Sequence, residues 1–166
     1  MTGSHFESGR EEVDTLKIAL ASDHAGYPLK RLLSQHLTAK GHECVDFGAD
    51  TDAQPSSYVP FAERLGEAVA SGDPPFGIVV CGTGLGISIT ANKVRGIRAA
   101  VCTNEYMARM ARQHNDANVL ALGARVVGTG LAVSVVDAFL EETFEAGGRH
   151  QARVEEIRDV ERRHMI

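Results

Sequence analysis

The run Ile78-Val79-Val80-Cys81-Gly82-Thr83-Gly84-Leu85-Gly86 puts a thiol and three alternating glycines at the end of an apolar segment. Glycines at Gly82, Gly84 and Gly86 let a backbone turn tightly and aim several N–H groups at one ligand atom, so the loop is a candidate anion site. If Ile87 to Lys93 begins a helix, its amino-terminal dipole favours an oxyanion there and lowers the pKa of a neighbouring thiol. Cys81 is therefore a candidate base or nucleophile, against the competing reading of an ordinary buried thiol. The loop reads G-x-G-x-G, without the third glycine of G-x-G-x-x-G and without a Lys-Ser/Thr pair, which disfavours NAD or ATP.

Other reactive groups stand near the ends of apolar runs. Ser22-Asp23-His24-Ala25-Gly26 offers an acid and an imidazole, although Asp23 also suits a helix cap. Gln113-His114-Asn115-Asp116-Ala117-Asn118 offers a proton shuttle at His114, or else only a solvated turn. Arg149 and Arg153 have the spacing to project from one helix face and grip a phosphate together; surface ion pairing is the plainer alternative. No cluster with metal-ligand spacing is evident in the sequence.

These groups need a scaffold, and the hydrophobic pattern provides one. Leu16 to Ala21, Cys44 to Phe47, Gly77 to Cys81, Ile97 to Cys102 and Val119 to Leu122 read as five short strands. Pro28 to Lys40, Pro60 to Ser71, Gly86 to Val94 and Glu105 to Gln113 carry helical spacing between them, with Leu29, Leu32, Leu33 and Leu37 along one face of the first. Thr103-Asn104 reads as a helix cap. Gly130 to Glu145 reads as a long helix, Gly147-Gly148 as a break, and His150 to Arg163 as a charged helix. The alternation predicts a three-layer α/β/α Rossmann-like fold with a five-stranded parallel sheet covered on both faces and joined by right-handed crossovers. Its ligand is expected at the carboxyl ends of the strands, with the reactive groups named above converging there.

Composition narrows the class. The 166 residues, 43% hydrophobic, suffice for one domain spanning residues 16–166, preceded by a polar extension over residues 1–15 expected to be disordered. Cys44, Cys81 and Cys102 are an odd count without CxxC spacing, which argues against a disulfide framework and fits a reducing, cytoplasmic setting. A net charge of −5 disfavours non-specific nucleic-acid binding. No apolar run approaches the roughly 20 residues of a membrane span, and the amino terminus lacks the plan of a secretion signal.

Taken together, Ser22-Asp23-His24-Ala25-Gly26, Cys81-Gly82-Thr83-Gly84-Leu85-Gly86, Arg112-Gln113-His114-Asn115-Asp116-Ala117-Asn118 and Gly147-Gly148-Arg149-His150 resemble the family of ribose-5-phosphate isomerase B and the galactose-6-phosphate isomerase subunits. The resemblance covers about Leu16 to Arg163. It implies interconversion of ribose 5-phosphate and ribulose 5-phosphate through an enediolate, with no metal or organic cofactor. By position, Cys81 resembles the family's base, and Thr83 with the Gly82 to Gly86 amides its oxyanion cradle. His114 and Asp23 resemble the ring-opening residues, Asn115 a holder of substrate oxygens, and His24, Arg125, Arg149 and Arg153 the phosphate contacts. Tyr58 matches a tyrosine near the substrate, although Val59 separates it from Pro60 where the family usually has Tyr-Pro. Some members use a glutamate just after the glycine loop; Ile87 stands there, so the chain resembles the cysteine-type branch. The resemblance further implies a homodimer or dimer of dimers with shared sites, with the Gly130 to Glu145 helix a candidate part of the interface. Another phosphorylated aldose (allose, galactose or erythrose phosphate) or a non-catalytic sugar-phosphate sensor are the alternatives.

Overall fold

The computed structural model describes residues 14–165. The expectation for the amino-terminal extension falls on residues of which 1–13 lie outside that range. Strands β1 (Lys17–Ser22), β2 (Glu43–Asp46), β3 (Phe76–Cys81), β4 (Ala99–Val101) and β5 (Val119–Gly123) form one sheet in the order β2-β1-β3-β5-β4. Every pairing is parallel. Helices α1 (Tyr27–Ala39), α2 (Val59–Ser71), α3 (Leu85–Ala91), α4 (Glu105–Asn115) and α5 (Thr129–Glu141) follow the strands in turn, and α6 (Gly148–His164) closes the chain.

Alternation along the strands divides the core into two layers, as the pleat requires. Ile18, Leu20, Ile78, Val80, Leu120 and Leu122 face Leu29, Leu33 and Leu37 of α1 and Val135, Val136 and Phe139 of α5. Ala19, Ala21, Val79, Cys81, Val119 and Ala121 face Ala62, Leu65 and Val69 of α2 and Ile87 and Ala91 of α3. Alanine dominates the second face, so α2 and α3 can sit close to the sheet and Cys81 ends on their side of it. Among the described residues, no helix is long and apolar enough to cross a membrane.

Several elements are shorter than expected, among them β4 and α3. α5 ends at Glu141 rather than Glu145, because Glu142 takes an extended backbone (φ −90°, ψ 150°). The segment after it is tied to the end of α4: Gln113 Nε2 donates to Glu142 Oε2 at 2.6 Å, and the Glu145 N–H donates to the Gln113 carbonyl at 3.0 Å. Lys30 lies on the apolar face of α1 and is almost wholly buried. Its ammonium reaches the Asp46 carboxylate at 2.7 Å and the Ala49 carbonyl at 2.5 Å, so the charge is paired and pins the start of the loop after β2. Asn104 caps α4 as expected, its Oδ1 accepting the Met107 N–H at 2.9 Å.

Candidate active site

The strand order reverses between β1 and β3, and at such a switch point the loops leaving neighbouring strands diverge and open a crevice. A cavity of about 270 Å³ lies there, lined by Asp23, His24 and Ala25 after β1, Cys81, Gly82, Thr83 and Gly86 after β3, Arg125 after β5, and Tyr58 from the start of α2. Eight of the residues singled out in the sequence thus share one pocket: Asp23, His24, Tyr58, Cys81, Gly82, Thr83, Gly86 and Arg125.

The glycine loop is held by backbone contacts. Gly84 has φ +79°, and a Cβ there would stand 2.9 Å from the Leu122 carbonyl carbon, so only glycine fits between the loop and β5. The Ala124 N–H donates to the Cys81 carbonyl at 2.9 Å and the Arg125 N–H to the Gly82 carbonyl at 3.0 Å, locking the two loops together. Within this frame the Gly84 N–H donates to Cys81 Sγ at 3.1 Å, so one loop amide is aimed at the sulfur. Cys81 is buried but lines the cavity, whereas Thr83 is exposed at its mouth, its Oγ1 accepting the Leu85 N–H at 3.3 Å. Arg125 approaches within 3.1 Å of the place a Cβ would take on Gly82, so its guanidinium lies beside the amides.

Asp23 serves its turn as well as the cavity: Oδ1 accepts the Gly26 N–H at 3.0 Å and shapes the entry to α1. His24 is fixed by a residue the sequence did not single out. The Ser56 N–H donates to His24 Nδ1 at 3.0 Å, and Ser56 Oγ accepts the His24 N–H at 3.0 Å. The same Nδ1 lies 3.3 Å from the Ser56 carbonyl, so Ser56 holds the ring from both its backbone groups. No sequence pattern marks Ser56, since its loop lacks any periodicity and lies far from His24 along the chain.

The remaining candidates do not converge on this cavity, which corrects the expectation that all reactive groups meet at the carboxyl ends of the strands. In an all-parallel sheet each helix that leads into a strand ends at the amino edge. His114 and Asn115 close α4 just before β5, while Cys81 pairs in register with Gly123 at the far end of that strand. The two ends of β5 are separated by roughly 13 Å. α5 likewise runs back to the amino edge, and Arg149 and Arg153 begin α6 beside His114. The His114 and His150 rings stack there, centroids 3.8 Å apart and planes within 5°. Arg149 and Arg153 are exposed and have no ion-pair partner among the described residues. The turn after His114 is structural: Asp116, with φ 46°, binds Arg98 and Arg112 at 3.0 Å each, and Asn118 bridges Arg98 and Gly96. The sequence showed no metal-ligand spacing, yet the fold places His114, Glu145 and His150 with ligand atoms within 4.8 Å of one another.

One chain therefore carries two separate clusters: a thiol with amides, an acid and a guanidinium at one edge of the sheet, and imidazoles with two arginines at the other. The other thiols are poorly suited to chemistry. Burial pushes Cys102 up to about 11 and also raises Cys44.

Fold and site define a Rossmann-like α/β protein with a thiol-bearing, glycine-rich ligand loop at the switch point of a parallel sheet. Known proteins share this fold. The family model described as Ribose/Galactose Isomerase matches residues 18–157. Ribose-5-phosphate isomerase B of Escherichia coli is 50% identical over 147 residues, covering 89% of this chain and 97% of its own length. The structure of ribose-5-phosphate isomerase B from Clostridium thermocellum superposes with a TM-score of 0.87 at 54% identity, over 90% of this chain and 99% of that one. That of the Mycoplasma genitalium enzyme with bound ribulose-5-phosphate gives 0.83 at 42% identity, over 89% and 97%. The chain belongs to the ribose/galactose isomerase family.

Proposed function

We propose that this protein is an aldose–ketose isomerase that interconverts D-ribose 5-phosphate and D-ribulose 5-phosphate without a cofactor, with Cys81 as the base. The observation that carries this reading is Cys81 Sγ facing the switch-point cavity with the Gly84 N–H 3.1 Å away. In the open-chain aldose, the Cys81 thiolate takes the C2 proton and the electron pair moves toward the C1 carbonyl oxygen. Charge appears on that oxygen, where the glycine-loop amides and Thr83 stabilise it. The thiol then returns the proton to C1, and a proton passes from the C2 hydroxyl to O1 to leave the ketose. His114 and Asp23 open the furanose, and Asn115 holds its hydroxyls. His24, Arg125, Arg149 and Arg153 bind the phosphate, whose binding energy orients the reacting carbons, and Tyr58 packs against the substrate.

This division of labour requires a second copy of the chain. Cys81 and His114 stand at opposite edges of the sheet, so a complete site pairs one subunit's Cys81 half with the His114 half of its partner. Exposed apolar residues support such pairing: Leu85 (57%) and Ile89 (60%) flank the Cys81 loop on α3, and Ile157 (44%) and Val160 (49%) lie on α6 beyond Arg153. A two-fold dimer lays these patches on each other and forms two equivalent sites. The free cysteines fit a cytoplasmic setting.

Cys81→Ser and Cys81→Ala are expected to abolish turnover of ribose 5-phosphate while leaving its binding nearly unchanged; retained turnover would remove Cys81 as the base. A second reading, another phosphorylated aldose, has an observation behind it. The D-erythrulose-4-phosphate isomerase of Pectobacterium atrosepticum is 43% identical over 133 residues, covering 80% of this chain and 88% of its own length. Comparing kcat/KM for four-, five- and six-carbon substrates decides between them.

A further inference from the structure

We propose that His114, Glu145 and His150 form a binding site for a divalent transition metal ion such as Zn²⁺, and that occupancy of this site inhibits the enzyme. Two imidazoles and a carboxylate are a common three-residue zinc set, and one open position remains for water or a substrate oxygen. The ligand atoms lie within 4.8 Å of one another, and His150 Nε2 is 3.8 Å from Glu145 Oε2. Zn–N and Zn–O bonds of about 2.0–2.2 Å bring neighbouring ligands to about 3.3 Å, so the three groups must close in and the stacked rings must tilt apart. Glu145 is exposed and sits on the irregular segment between α5 and α6, where a change of rotamer supplies most of that movement.

The stacked rings, with centroids 3.8 Å apart and planes within 5°, already hold the two imidazoles side by side at the site. Arg149 and Arg153 at the start of α6 repel a cation and weaken its binding there. Among the described residues, Glu145, 3.8 Å from His150, is the charged partner of the stacked pair, and His150 has no part in the proposed reaction.

The metal binding stands on this geometry alone, whereas its inhibitory effect rests on the reading of His114 as a ring-opening residue. A metal on His114 occupies the lone pair that would move the ring-opening proton.

The test is calorimetric titration of the full chain with ZnCl₂, beside isomerase assays over the same zinc range. Wild type and Cys81→Ser are expected to bind one Zn²⁺ per chain with similar affinity, which separates this site from the thiol. Glu145→Gln and His150→Gln are expected to bind zinc at least about tenfold more weakly. Glu145→Gln, a surface change, is expected to keep its metal-free activity and to need about tenfold more zinc for half-inhibition. Equal zinc affinity in wild type and both variants, or loss of binding in Cys81→Ser, would overturn the site. Zinc bound at the three residues without inhibition would overturn the regulatory half. Absence of metal-free activity would instead count against the proposed isomerase, and the calorimetry would still report on the metal site.

Discussion

Replacing Gly86 by alanine isolates the part Tyr58 plays in shaping the cavity. A Cβ on Gly86 would lie 2.4 Å from both Cζ and Oη of Tyr58 and 2.9 Å from its Cε1. Ordinary carbon contacts begin near 3.5 Å, so the ring has to retreat by about 1 Å. Gly86 is the second residue of α3, where alanine is the better helix former by up to about 1 kcal/mol, so the fold is not expected to weaken. The displaced ring borders Cys81 and His24 in the cavity, and a misplacement of this size can cost about 100-fold in rate. That factor corresponds to about 2.7 kcal/mol of transition-state stabilisation. Gly86→Ala is therefore expected to keep its melting temperature and lose one to two decades of kcat/KM. The assay is a double-mutant cycle with Tyr58→Ala. Once the ring is gone the methyl has nothing to strike, so Gly86→Ala should cost little in that background. An equal loss in both backgrounds would refute the steric argument.

The remaining predictions concern thiols and pH. Iodoacetamide at pH 7.5 is expected to label Cys81 first, and ribose 5-phosphate to protect it, because burial keeps Cys102 and Cys44 protonated. Peptide mapping that found either of those two labelled first would contradict this. His42 accepts the Leu16 N–H through Nδ1 at 3.2 Å, and burial together with Lys40 holds it below its usual 6.5. The folded state thus binds fewer protons than the unfolded one, so this contribution to stability is full above 6.5 and is lost as pH falls from there to the lowered value. Thermal melts between pH 7.5 and 5.5 are expected to fall less steeply for His42→Gln than for wild type; equal slopes would remove His42 from the account.

Much of this architecture is legible in the residues. The apolar runs mark all five strands to within a few residues, because strands buried on both faces leave continuous Val, Ile, Leu and Ala segments. The cavity residues are legible too, since Cys81 ends β3, Asp23 and His24 directly follow β1, and parallel strands share one carboxyl edge. What misled was treating His114, Asn115, Arg149 and Arg153 as members of the same edge. His114 and Asn115 end α4, and Arg149 and Arg153 begin α6 after α5 has run back, so the chain direction itself places them at the edge opposite the Cys81 cavity. Ser56 and Lys30 were not legible. Their roles depend on contacts with His24 and Asp46 that no local pattern encodes. The His114, Glu145 and His150 cluster depends in turn on α5 ending at Glu141, a consequence of hydrogen bonds to Gln113.

The central claim is that one subunit's Cys81 works with the His114 of another. Cys81→Ser and His114→Asn chains, each inactive alone, can be mixed, unfolded and refolded together. If the sites are shared in a two-fold dimer, half of the random dimers are mixed and each has one intact site, giving about a quarter of wild-type activity. If both residues served within a single chain, every site would carry a defect and the mixture would stay inactive, which would contradict the account.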